Sequence, residues 1–142
     1  MNKVSFHSAD IPFYYKGKKK LKKWIINCFL KEGKQLGSIS YIFCSDDYLL
    51  NINKQFLQHD YYTDIITFDL SKTENSPIEA EVYISIDRVK DNAENLITSY
   101  WEELHRVVIH GVLHLCGYKD KSKSNKSLMR LKETEQISLL NT

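Results

Sequence analysis

Long apolar runs are missing from this 142-residue sequence. Crossing a bilayer as a helix takes about 20 predominantly apolar residues, and no stretch approaches that length. The opening Met1-Asn2-Lys3-Val4-Ser5-Phe6-His7 has no long apolar core before Asp10, so it does not read as a secretory signal. A soluble, cytoplasmic protein with no membrane contact is expected. Cysteine is scarce too: Cys28, Cys44 and Cys116 are odd in number and lack zinc-finger spacing. They read as reduced core residues and exclude a disulfide framework. No repeat, low-complexity segment or linker divides the chain, so one domain over residues 1–142 is expected, large enough to bury a core without cross-links.

Net charge is also small, at +2, but it is unevenly spread. Residues 16 to 23 carry six lysines, and a second cluster holds Lys119, Lys121, Lys123, Lys126, Arg130 and Lys132 with Asp120 as its one acid. A lysine run is commonly only a solvated helix face. The second cluster, however, surrounds a carboxylate that matters below, and positive charge there would meet a polyanionic substrate.

The hydrophobic periodicity predicts an α+β fold, a small mixed sheet packed with helices. Leu21, Trp24, Ile25, Cys28 and Phe29 follow the helical i, i+3, i+4, i+7, i+8 pattern. Residues 39–44 read as a strand, and Ser45 with Asp46 and Asp47 as the start of a helix whose buried stripe is Leu49, Ile52 and Phe56. Strands are expected over 63–70 and 78–86, the second alternating strictly, then a short helix over 87–96. Ser99 and Glu102 form a capping box that opens a further helix, and a last helix spans about 124–139.

What the chain does contain is His110-Gly111-Val112-Leu113-His114-Leu115-Cys116-Gly117-Tyr118-Lys119-Asp120. At about 100° per residue, His110 and His114 share one helix face, and residues 107–116 carry no charged side chain, so the helix reads as buried. Histidines in such a helix are also met as hydrogen-bonded core residues, but a shared cation would satisfy both imidazoles at once. Asp120 arrives from beyond the helix end. Two His, one carboxylate and no fourth ligand nearby make an open, water-bearing zinc site at the end of the histidine helix, one ion per chain. His105 and Cys116 lie off that face and read as structural. Gly111 stands where a zinc peptidase of the His-Glu-x-x-His type carries its general base, which disfavours peptide hydrolysis. The glycine instead suits close approach of another chain segment or a substrate to the helix.

His-Gly-x-Leu-His-Leu-x-Gly-Tyr resembles the signature of the YbeY family, bacterial metal-dependent endoribonucleases of ribosomal RNA maturation. Thr63-Asp64-Ile65-Ile66-Thr67-Phe68, the preceding Leu50-Asn51, Glu81-Val82-Tyr83-Ile84-Ser85 and Glu103-Leu104 are similar to further blocks of that family. The resemblance covers roughly residues 40 to 135. It implies a zinc-dependent, single-strand-specific endoribonuclease of 16S rRNA processing and ribosome quality control, with His110, His114 and Asp120 on the metal and His114 and Asp64 catalytic. Its partners would be precursor ribosomal RNA and ribosomal or assembly proteins.

Two departures stand out. Where the family typically ends in a third His, this chain has Asp120, a competent zinc ligand that adds negative charge and weakens the metal as a Lewis acid. Where the family typically has an arginine, this chain has Leu57. Lys54, His59, Lys119 or Lys121 are the candidates to contact substrate phosphate in its stead. Tyr61 and Tyr62 are candidate stacking platforms for unpaired bases, while Thr63 and Asp64 read equally as turn residues bonded to the backbone. A non-enzymatic, metal-binding ribosome-assembly factor and a metal-dependent hydrolase of another substrate stay open alternatives at this level.

Overall fold

Side chains alternating across the sheet set the architecture. The computed structural model describes residues 3–142, so Met1 and Asn2, part of the N-terminal run read above, lie outside the described residues. Chain order is β1 (Val4–Ser8), α1 (Lys18–Lys31), β2 (Leu36–Cys44), α2 (Asp46–Leu57), β3 (Ile65–Asp69), β4 (Ile78–Ser85), α3 (Ile86–Asn95), α4 (Tyr100–Leu115) and α5 (Lys123–Leu140). The strands form one mixed sheet in the order β1-β2-β4-β3, parallel except for the antiparallel edge strand β3. The α+β fold expected from periodicity is the fold found.

All five residues expected on the α1 stripe are buried, as are Ile78, Ala80, Val82 and Ile84 of β4. They pack with Ile39, Tyr41 and Phe43 of β2 and with Leu104, Val108, Ile109, Val112 and Leu113 of α4 in one core. α4 therefore lies across the sheet with one face committed to packing and the other free for chemistry. No helix among the described residues is long and apolar enough to cross a membrane. The three cysteines are free thiols, Cys28 and Cys44 buried and Cys116 half-buried.

Three expectations need correction. β1 was not anticipated; its five residues hold only Val4 and Phe6 as large apolar side chains, too short a run to show alternation. Phe56 is 61% exposed rather than part of a buried stripe, because α2 carries it past the core to an edge-to-face contact with Phe68. The charge-free stretch 107–116 is not buried on all sides, since His114 faces solvent.

Candidate functional site

The site depends on how α4 begins and ends. Ser99 caps it by accepting from the Glu102 amide at 3.1 Å, as the capping box predicts. At the far end Gly117 takes φ 107°, a left-handed conformation that a side chain would strain. The reversal is held by Tyr118 N–H donating to the Leu113 carbonyl and by Tyr118 Oη–H donating to Glu32. The loop thus folds back and brings Asp120 over the helix face. His105 accepts or donates at 2.7 Å with Tyr15 Oη, a structural contact away from this face.

Asp120 Oδ2 comes to 3.2 Å from His110 Nε2. The other ring nitrogen, Nδ1, lies 2.7 Å from Glu133 Oε2 on α5. Glu133 is buried and its second oxygen accepts from Arg106 at 3.1 Å. Arg106 also reaches the Thr134 hydroxyl. Arg106, His110, Asp120 and Glu133 line one polar cavity of about 460 Å³ together with Thr63, Asp64, Thr67, Glu103 and His114. Four of its residues, Glu103, Arg106, His110 and His114, recur every three or four positions along α4.

Electrostatics in the cavity are shifted. Burial pushes the Asp64 carboxyl above its ordinary range, with the neighbouring His110 opposing. Burial also raises Glu103, and the Asp64 carboxylate adds to the shift. For His110 burial acts against the charged form, but the hydrogen bond and charge of Glu133, with Asp120 and Asp64, outweigh it and leave the imidazole above its usual value. Displaced carboxyl and imidazole groups gathered in one cleft are a mark of a functional site. Asp64 is further held by Asn92, whose amide donates to it at 3.3 Å, and its carbonyl accepts from the Ser85 amide.

The cavity therefore brings together His110, His114, Asp120 and Asp64. Two of the residues expected to hold a cation are spaced for one: ligands about 2.0–2.1 Å from a tetrahedral zinc stand about 3.3 Å apart. No group of three or more His, Cys, Asp and Glu side chains among the described residues is arranged to hold a metal ion as it stands. The donor chemistry fits zinc, with His110 and Asp120 at ligand spacing and His114 on the same wall but outside that pair.

The basic candidates lie elsewhere. Lys54 pairs with Asp60 at 3.3 Å, and His59 bonds and stacks with Tyr61. Lys119 and Lys121 sit on the loop either side of Asp120, Lys119 lining a neighbouring cavity with Glu32 and Tyr118. Leu57 is exposed on α2. Tyr61 and Tyr62 are exposed, the latter donating to Asp47 under the Arg88 guanidinium. Thr63 donates to the Ile65 carbonyl at 3.4 Å, as the turn reading anticipates.

Glu103, Arg106 and Glu133 were not anticipated. The first two could have been found by extending the His110 face backward by seven and four positions. Glu133 leaves no local signal, since only the packing of α5 on α4 brings it to His110.

Comparison with known proteins identifies the family of the chain. The family model described as Endoribonuclease YbeY matches residues 4–141. Curated proteins of that name are similar along nearly the whole chain. The one from Phocaeicola vulgatus is 48% identical over 137 residues, covering 96% of this chain and 98% of its own. Those from Flavobacterium psychrophilum and Parabacteroides distasonis are 47% and 46% identical, each covering 96% of this chain and 95% of its own. The solution structure of TM1509 from Thermotoga maritima superposes with a TM-score of 0.66 at 28% identity, over 96% of this chain and 88% of that one. With its fold and a family match over residues 4–141, the chain belongs to the YbeY family.

Proposed function

We propose that this protein is a zinc-dependent endoribonuclease that cuts single-stranded RNA in the cytoplasm during ribosomal RNA maturation. Membership of a family named for endoribonuclease activity supports the RNA-cleaving reading. The observation that carries the metal site is the 3.2 Å approach of His110 Nε2 and Asp120 Oδ2 in a cavity that His114 also lines. His110, His114 and Asp120 would hold the ion, His114 turning in from one helical turn away. A bound zinc ion would polarise a phosphoryl oxygen and neutralise developing negative charge.

The chain's own groups do the rest. Asp64, with its raised carboxyl, is poised to exchange a proton with the attacking or leaving oxygen at the cavity wall. The attacking oxygen is water or the ribose 2′-hydroxyl. Lys119 and Lys121, flanking Asp120, draw in the phosphate backbone, and a ribosomal or assembly protein presents the RNA.

The test is zinc content by elemental analysis together with cleavage of single-stranded and duplex RNA. Wild-type protein should carry one zinc per chain and cut single strands. His114→Ala should lose both zinc and cleavage while staying folded. Full zinc occupancy in that variant overturns the ligand set, and metal-replete wild type that neither binds nor cuts RNA overturns the activity.

A further inference from the structure

We propose that Glu133 is the positioning residue of His110, with Arg106 as its counter-charge on the oxygen that His110 does not use. The inference rests on the reading of His110 as a metal ligand and adds two residues, one on a different helix, to what makes that ligand work. An imidazole can donate its single zinc-binding lone pair from either nitrogen, and the nitrogen that binds is decided by where the proton is held. Glu133 Oε2 stands 2.7 Å from Nδ1, and a carboxylate there accepts from Nδ1–H, which leaves the lone pair of the neutral ring on Nε2. Nε2 is the nitrogen that stands 3.2 Å from Asp120. The ring is thereby fixed in orientation as well as in tautomer.

A carboxylate accepts from Nδ1–H more strongly than a neutral oxygen does, and Glu133 is buried. A buried anion without a partner would be costly; Arg106, 14% exposed, supplies the opposite charge at 3.1 Å to the oxygen that His110 does not use. The hydroxyl of Thr134, next to Glu133 on α5, holds the same guanidinium from the side. Arg106 and His110 are four residues apart on α4, so one turn of helix presents both to one carboxylate of α5. The line Arg106, Glu133, His110, Asp120 alternates cation, anion, imidazole and anion. Arg106 is thus occupied as a structural counter-ion, which leaves phosphate attraction to other basic groups.

The experiment uses the full chain and three variants, Glu133→Ala, Glu133→Gln and His110→Ala. Zinc affinity is measured by competition with a chromophoric chelator, and the protonated nitrogen of His110 by long-range ¹H–¹⁵N spectra. Loss of such an outer partner weakens metal binding by roughly 10–100-fold, the fall expected for Glu133→Ala. Glu133→Gln keeps an oxygen that accepts from Nδ1–H, so it should hold the proton on Nδ1 and bind zinc with an affinity between wild type and Glu133→Ala. Because Gln is nearly isosteric, this variant decides the matter even if the Ala variant does not fold. Unchanged zinc affinity in Glu133→Ala overturns the proposal. So does a Glu133→Gln variant that loses zinc as completely as His110→Ala, because Glu133 would then be a ligand itself. If His110→Ala binds zinc like wild type, the metal site itself has been misplaced and both readings fall. Zinc lost in His110→Ala but fully kept in Glu133→Ala removes the positioning role alone.

Discussion

A Cβ added to Gly111 would lie 3.2 Å from Ile65 Cδ1, with Val82 Cγ1 at 3.4 Å behind it. The missing side chain is what lets the histidine helix settle onto β3 and β4. The close approach anticipated at this glycine is therefore made by the sheet. Gly111→Ala gains about 1 kcal/mol of helix propensity, which offsets most of the cost of nudging the flexible end of Ile65. Its unfolding midpoint should stay near wild type. Gly111→Val adds a stiff branched side chain against fully buried Val82 and should lower stability by about 2 kcal/mol or more, read from denaturant unfolding.

Ile97, just past α3, has φ 54° and is 94% exposed. A left-handed β-branched residue costs on the order of 1–2 kcal/mol, yet this side chain returns almost no burial. The amide of Thr98 bonds back to the Ala93 carbonyl, the pattern a helix end makes around a left-handed residue that is usually Gly. Ile97→Gly should therefore raise stability by about 0.5–1 kcal/mol, after the greater freedom of glycine in the unfolded chain is subtracted. Thermal unfolding checks the sign.

The raised carboxyl of Asp64 makes a pH prediction. A folded-state value above the unfolded one means that the native state binds the proton more tightly, so this contribution is present below the ordinary Asp range and is lost as pH rises through the folded value. Asp64→Asn lacks the contribution at every pH. With zinc removed by chelator, the stability of wild type relative to Asp64→Asn should fall as pH rises from 3 to 7. A flat difference would mean that Asp64 is not destabilised as a carboxylate.

How much of this was legible in the residues differs from element to element. The α1 stripe, the alternation of β4 and the caps at Ser45 and Ser99 are local patterns, and local backbone geometry reproduces them. β1 was hidden because its stability comes from parallel pairing with β2, a partner some 35 residues away that five residues cannot announce. Phe56 misled because periodicity tells which side of a helix is apolar but not how far the sheet beneath it extends. In the site, His110, His114 and Asp120 lie within eleven residues and could be read together. Arg106 lies one turn back on the His110 face, but Glu133 enters only through the packing of α5 on α4, which no spacing within either helix encodes.

Burial pushes the thiols of Cys28, Cys44 and Cys116 up to about 12. Thiolates are the reactive species, so at pH 8 native protein should react with an aromatic disulfide reagent far more slowly than denatured protein. Half-buried Cys116 should be modified first. Rapid release of three equivalents from the native state would contradict the packing of α1 and β2.

The basic loop around Asp120 makes the last prediction, one that depends on the RNA reading. Lys119, Lys121 and Lys123 follow one another at alternate positions where the chain leaves α4 and enters α5, and all three are exposed. Exposed lysines attract a polyanion by releasing its counterions, which contributes about −0.7 to the slope of log affinity against log salt for each phosphate of a single strand. A slope near −3 would correspond to roughly four phosphates. Replacing the three lysines with alanine should flatten the slope by up to about 2 and weaken binding to many sequences alike, because phosphate contacts carry no base information. Zinc content should not change, since none of the three is a metal ligand. If the slope is unaltered, the RNA approaches over another surface, and the six lysines between positions 16 and 23 become the place to look. If zinc falls with the slope, the substitutions have moved Asp120 itself, and the loop acts by holding the ligand rather than by drawing in the strand.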